Sequence, residues 1–232
     1  MNNDITNTLV PLGLAFIAYF VSHSLLASLW MKSTVQRHWP QLMPAYRLLF
    51  NVLSILLLIP LILWMQANPG PPIWLWQGAL AWLMKGLTLS AVLGFLWSLK
   101  AYDNSVFLGI TQWKNRHNTN TGTSTNTNTT DPEQLHISTQ HRFVRHPWYF
   151  FFLVIMWTQD LHLTQVIVYG LITAYLFIGS RLEEQKLIVQ FGEAYINYRK
   201  QVPGLFPLPW RWLSKKEAEY LLALATKSQV NG

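Results

Sequence analysis

The chain has 232 residues, 51% hydrophobic and only 12% charged, with a formal net charge of +7. A soluble domain carries about twice that share of charge, and here the charges sit in loops and tail between long uncharged runs, which excludes an ordinary soluble domain and points to an integral membrane protein. Cysteine is absent, which excludes disulfides, thiolate metal sites and a cysteine nucleophile, and the basic residues flank apolar segments, so membrane lipids rather than nucleic acid account for the positive charge.

The first apolar run extends from about Leu9 to Trp30 with no basic residue before it. A signal peptide needs a positive leading region, so this run predicts a retained transmembrane helix. The second runs from about Leu48 to Trp64 and contains Pro60, a potential kink. A turn without charge follows, Asn68-Pro69-Gly70-Pro71-Pro72. The third run, about Ala79 to Lys100, carries Lys85 near its start, where the side chain can snorkel to the surface. Trp30, Trp39, Trp64, Trp74, Trp76 and Trp97 stand at the ends of these runs, as an interfacial aromatic belt requires.

A polar stretch from Tyr102 to Arg142 comes next. Its centre, Asn118 to Thr130, is almost wholly Asn, Thr, Gly and Ser. It has nothing to bury and is expected to be a disordered insertion over 118–130. A short apolar run from about Trp148 to Trp157 then turns at Gln159-Asp160-Leu161-His162, and a longer one, Leu163 to Gly179, brings the chain back. The tail from Arg181 reads as amphipathic and lying against the membrane face, with aromatics at Phe191, Tyr195, Tyr198, Phe206, Trp210 and Trp212.

Lys and Arg occur in the first connection, the third and the tail, and are absent from the second and fourth. An all-α polytopic fold with about five transmembrane helices, the N-terminus outside and the C-terminus cytoplasmic, satisfies the positive-inside rule throughout. The final hairpin then opens toward the cytoplasm. Its outgoing arm is roughly 12 apolar residues, ~18 Å of helix, and its return arm roughly 17, ~26 Å. A full span needs about 30 Å. The start of the short arm therefore lies below the surface, where ionisable groups persist only in a polar cavity or as pairs.

Arg145-His146-Pro147-Trp148-Tyr149 marks that start, and Glu183-Glu184 stands where the chain returns. Pro147 suits the first position of a helix. Free backbone N–H groups ahead of that helix and the Arg145 guanidinium would form a carboxylate or phosphate site. Tyr149, one turn in, can hydrogen-bond or stack. The carboxylates suit ribose hydroxyls or an amino group. An Arg145–Glu bridge that merely staples the hairpin is the structural alternative.

These residues resemble a known signature. Arg145-His146-Pro147-x-Tyr149, a hydrophobic hairpin and Glu183-Glu184 look like the isoprenylcysteine carboxyl methyltransferase family of integral membrane methyltransferases. Phe191-Gly192-Glu193-Ala194-Tyr195, Tyr198, Val202-Pro203 and Pro207 are similar to that family's ending. His23-Ser24-Leu25-Leu26-Ala27-Ser28, Tyr46-Arg47-Leu48-Leu49-Phe50-Asn51 and Phe107-Leu108-Gly109-Ile110-Thr111-Gln112 look most like its methanethiol S-methyltransferase and NnrU branch. The resemblance implies a single transmembrane domain over 1–232, with 145–207 a cofactor-binding hairpin and tail in a bacterial inner membrane. It implies S-adenosylmethionine as cofactor, with Arg145, His146, Tyr149, Glu183 and Glu184 as its contacts. The acceptor would be a small thiol or other lipophilic molecule, and no metal is required. A thiol needs only a modest base, for which His146 and His23 are the candidates. His141 and Arg142 would border the entrance or serve the interface.

Two positions depart from the resembled pattern. Phe151 stands where a glycine usually follows the motif tyrosine, and Thr139 where a glycine often precedes the motif arginine. The phenylalanine is expected to narrow the pocket or alter helix packing. Two other readings are an NADPH-dependent membrane enone or sterol reductase, whose similar element typically places asparagine where Trp148 stands, and a non-enzymatic protein that keeps the fold.

Overall fold

A computed structural model describes residues 2–99, 104–114 and 135–230. The all-α membrane architecture expected from the sequence forms. Among the described residues, four segments are long and apolar enough to cross a bilayer: Asn7–Ala27 of α1 (Asn2–Ala27), Pro40–Ala67 containing α3 (Met43–Ala67), α4 (Gly78–Leu99) and α8 (Leu163–Phe191). A shorter apolar helix, α7 (Pro147–Trp157), is the fifth. Helices are what such runs must form, because hydrocarbon offers no partner to a backbone N–H or C=O and a helix satisfies them internally. Pro60 lies within α3 without ending it.

The first helix stops earlier than the hydrophobicity does. Ser28 leaves helical geometry and its hydroxyl accepts from the Met31 N–H at 3.2 Å, capping a separate helix, α2 (Leu29–His38). A serine cap of this kind satisfies one of the donors that a helix start leaves unpaired. A small antiparallel pair was not expected: β1 (Pro72–Trp74) and β2 (Leu161–His162), with Pro72 opposite His162. The proline-rich turn beside it has few donors and lends its carbonyls. Leu163 and Thr164, whose N–H groups have no helical partner at the start of α8, donate to Pro71 O at 3.0 Å and Pro69 O at 3.2 Å.

The chain packs as two compact units. The first holds α1 to α3, the β pair, two short helices α5 (Asn104–Leu108) and α6 (Ile110–Lys114), and α8 as far as Ile172. Leu12, Phe16, Met65 and Val168 form its core. The two short helices lie in a stretch that reads as loop. Arg47 Nη1 donates to Val106 O at 3.0 Å and Asn51 Nδ2 to Leu108 O at 3.2 Å, so α3 holds the C-terminal carbonyls of α5. Gly109 follows at φ +87°, and a Cβ there would stand 2.7 Å from the Leu48 N. The Tyr46–Asn51 and Phe107–Gln112 segments are therefore packing partners. The predicted insertion at 118–130 lies outside the described residues.

The second unit holds α4, α7, α8 from Thr173, α9 (Glu193–Gln201) and α10 (Lys215–Val230). Its core is Phe191, Ala194, Tyr195, Tyr198, Val202, Leu213, Leu221 and Ala225. This corrects part of the amphipathic-tail expectation. Phe191, Tyr195 and Tyr198 are buried in the tail's own core, whereas Phe206, Trp210 and Trp212 are exposed. Helices α4 and α7 pack closely, with the Phe151 ring filling the space over Gly94, where a Cβ would meet it at 2.5 Å. Phe151 is thus part of the contact between α4 and α7. At the turn end, Gln159 Nε2 donates to Thr88 Oγ1 at 3.2 Å and Thr88 and Thr158 share a 2.7 Å hydroxyl contact.

Candidate functional site

The return arm does not end at Gly179. Helix α8 continues to Phe191 for 29 residues, ~44 Å at the helical rise, while α7 has 11 residues, ~16 Å. Glu183 and Glu184 therefore project from the body of a helix, within the second unit, toward the residues that open α7.

Arg145 is the hub. Its side chain is 9% exposed, and Glu184, its partner, 3%. A guanidinium offers five N–H donors in a planar fork. Here Nε and Nη2 reach Glu184 Oε1 at 2.9 and 2.7 Å. Nη1 reaches the Arg199 carbonyl at 2.8 Å and that of Val202. Those carbonyls close α9, whose last C=O groups lack helical donors and carry the negative end of the helix dipole. Gly204 lies close beside the fork: a Cβ there would stand 3.2 Å from Arg145 Nη2.

The backbone departs from expectation at this point. Free N–H groups were expected ahead of α7, but Arg145 N–H donates to Pro203 O at 2.9 Å and His146 N–H to Gly204 O at 3.1 Å. The segment after α9 thus occupies the donors that the sequence offered to an anion.

His146 is buried, and carboxylates lie near both its ring nitrogens: Glu184 Oε1 is 3.3 Å from Nε2 and Glu183 Oε2 3.6 Å from Nδ1. Its ring stacks on Tyr149 with centroids 5.3 Å apart and planes 9° from parallel. The two glutamates differ in setting, Glu183 being 52% exposed. Glu184 Oε2 is buried and accepts no hydrogen bond. Arg199 Nε lies 3.5 Å from it, on a side chain 40% exposed. Burial, together with the charge of Glu184, pushes the nearby Tyr195 hydroxyl up and keeps it protonated.

His141 and Arg142 anchor the tail. Tyr198 donates its hydroxyl to His141 O at 2.7 Å, and the His141 Nδ1 lies 2.7 Å from Ser138 Oγ. Burial, then the charges of His136 and His146, push the His141 imidazole down to about 4. Arg142 exchanges two bonds with Leu213, Nε to Leu213 O at 2.8 Å and Leu213 N–H to Arg142 O at 2.9 Å.

The structure brings together Arg145, His146, Tyr149, Glu183 and Glu184. His23 is in the first unit, its ring 5.0 Å from that of Phe50 and 5.8 Å from that of Tyr19. Sequence reasoning missed Arg199 and the carbonyls of Val202, Pro203 and Gly204. The Val202-Pro203 pair was the one signal that marked this segment.

No family model and no solved structure matches the chain. Curated relatives do. The chain is 28% identical over 193 residues to methanethiol S-methyltransferase 2 of Bradyrhizobium diazoefficiens, covering 82% of this chain and 69% of that one. It is 26% identical over 219 residues to the methanethiol S-methyltransferase of Mycobacterium tuberculosis, covering 87% and 80%. A shorter match of 68 residues to the enzyme of Pseudomonas deceptionensis reaches 41% identity, over 29% of this chain and 26% of that one. The likeness is to the methanethiol S-methyltransferase branch of the membrane methyltransferases.

Proposed function

We propose that this protein is an integral membrane methyltransferase that uses S-adenosylmethionine and methylates a small thiol, methanethiol being the first acceptor to test. One observation carries the reading beside the likeness to its relatives. Glu184 Oε2 is a buried carboxylate oxygen with no hydrogen bond, set among Arg145, His146 and Arg199. A buried polar atom left unbonded costs roughly 1–3 kcal/mol, and a ligand ammonium or ribose hydroxyl supplies the missing donor. S-adenosylmethionine carries both groups, so the donor set fits it. Arg199, the partly exposed neighbour, is the side chain that swings aside to admit it.

The roles follow from what each group has left to offer. Most of the N–H groups of Arg145 point at Glu184 and the end of α9, so Arg145 chiefly fixes Glu184 and keeps an Nη2 N–H for a carboxylate. Tyr149, stacked on His146, presents an aromatic face that attracts a cation. When bound, the cofactor supplies a methyl group on a sulfonium with a neutral leaving group. His146 would take the proton of the acceptor thiol. With a thiol pKa near ~8.5, a modest base suffices. His23 is the second candidate base and is tested by its own substitution. The chain's remaining task is alignment and exclusion of water. We place the N-terminus outside and the C-terminus in the cytoplasm of a bacterial inner membrane, on the distribution of Lys and Arg.

Thermal unfolding of the detergent-purified protein tests the cofactor: S-adenosylmethionine or S-adenosylhomocysteine raises the melting temperature and NADPH does not. Transfer of labelled methyl to methanethiol, against prenylcysteines and amino lipids, tests the acceptor. A shift with NADPH alone overturns the proposal in favour of the reductase reading. No shift with either favours a non-enzymatic protein.

A further inference from the structure

The segment between α9 and α10 is pinned at both ends yet leaves its largest apolar side chains outside. Leu213 is fully buried and bonded twice to Arg142. At the other end, Pro203 O and Gly204 O hold the N–H groups of Arg145 and His146. Between them Leu208 and Arg211 bridge, with Arg211 N–H on Leu208 O at 3.0 Å, which puts Pro209 and Trp210 at the tip of a tight turn. Trp210 is 75% exposed, and Phe206 and Trp212 at least half exposed. Trp212 stacks on Phe143, itself exposed, with planes 21° apart. A fixed loop that displays three aromatics, one of them stacked on Phe143, is unlike a solvated turn, which would present polar tips.

The loop itself is basic, with acidic residues only beyond its ends at Glu193, Glu217 and Glu219. From Ala194 to Lys216 the sequence contains Arg199, Lys200, Arg211, Lys215 and Lys216 and no acidic residue. Arg211 is committed to the backbone, donating to the Lys200 carbonyl. Lys215 has a side chain 83% exposed and meets Glu219 Oε1 only at 4.0 Å, an exposed pair of little strength that leaves its charge open to lipid. Aromatic side chains with polar edges settle at the headgroup level of a bilayer, and Lys or Arg beside them gains from anionic lipid. We infer that the Pro203–Leu213 loop is an interfacial anchor that seats Phe206, Trp210 and Trp212 among the headgroups of an anionic leaflet, with Lys200, Lys215 and Lys216 gathering the anionic lipid. An acidic protein partner would match the charge, but it has no need of three outward aromatics on a chain already held in a bilayer. The anchor is independent of the methyl-transfer proposal and stands or falls by itself.

The absence of native cysteine makes the test clean. Trp210→Cys in the full chain, labelled with an environment-sensitive fluorophore, is reconstituted into nanodiscs of phosphatidylcholine with or without phosphatidylglycerol. The label is expected to shift to the blue, to be quenched by headgroup-level spin-labelled lipid and to be shielded from iodide, each more strongly with phosphatidylglycerol. Lys200→Gln/Lys215→Gln/Lys216→Gln, made on the same background, is expected to abolish the difference between the two lipid mixtures while the quenching by lipid persists. Quenching by iodide but not by lipid overturns the anchor and points to a water-facing or protein-binding loop. Equal behaviour in both mixtures overturns the anionic preference.

Discussion

Replacing the buried pair as a unit separates a ligand site from a staple. In Arg145→Met, Glu184 stays almost wholly buried and loses its 2.7 and 2.9 Å contacts. Stranding one member of a buried ion pair costs about 3–5 kcal/mol, an upper figure here because Arg199 and His146 stay 3.5 and 3.3 Å from the carboxylate. The carbonyls of Arg199 and Val202 also lose their donor, at roughly 1–3 kcal/mol for each that water cannot reach. In Arg145→Met/Glu184→Leu no charge is stranded, and an apolar pair of similar volume is often neutral or better. Only the carbonyl loss remains, roughly 1–3 kcal/mol for each of the two that water cannot reach. The double variant is therefore expected to be more stable than Arg145→Met alone, as read by thermal unfolding in detergent. If the pair only staples the hairpin, the double variant keeps its stabilisation by S-adenosylmethionine. If Glu184 contacts the cofactor, that stabilisation and methyl transfer both vanish from a folded protein. A stable double variant that still responds to the cofactor would refute the site, and a single variant as stable as the parent would refute the energetics.

Gly109→Ala is expected to destabilise by about 1–3 kcal/mol, since the alanine must adopt an unfavourable φ and its Cβ would meet the Leu48 backbone N at 2.7 Å; the loss of melting temperature measures it. Gly94→Ala is expected to cost about 1–3 kcal/mol through overpacking against Phe151, and Gly94→Ala/Phe151→Leu to recover much of it in the same assay. His141 stays neutral when folded because its imidazole is held at about 4 against an ordinary 6.5. Its contribution is complete above about pH 6.5 and fades as the pH falls toward about 4, by at most about 3 kcal/mol. His141→Gln flattens that slope in unfolding measured across this range.

The spans were legible because a run of uncharged residues of bilayer length has one stable backbone solution. Their ends were less so. Ser28 breaks an apolar run with a hydroxyl cap, and α8 runs past Gly179 because Arg181, Glu183, Glu184 and Lys186 are acceptable helix formers, although their charge suggests a boundary. The β pair was invisible because prolines are poor strand residues. At the site, side chains announced themselves and backbone did not. Arg145 and Glu184 could be paired from the sequence, but a carbonyl carries no residue identity, so the hold of Pro203 and Gly204 on the start of α7 had no signature. The tail's aromatics look alike in sequence, and only tertiary packing sends Tyr195 and Tyr198 inward and Trp210 outward.

The same limit applies to motif positions read one at a time. Phe151 looked like the loss of a glycine from the helix that carries Tyr149. Its ring occupies the space over Gly94, so the small residue that lets α4 and α7 approach stands on the facing helix. Close approach between apolar helices in lipid depends on a small residue somewhere in the contact, since hydrophobic burial supplies no drive there. The contact, rather than the position, is what the fold has to keep. The Tyr46–Asn51 and Phe107–Gln112 segments make the same point in the first unit, where Arg47 and Asn51 hold the end of α5 and Gly109 lies against Leu48. Two stretches that suggest function by resemblance are thus one packing unit. In the second unit Glu184 Oε2 is buried without a hydrogen bond and has only the Arg199 ion pair at 3.5 Å, which is why the proposed site is centred on it.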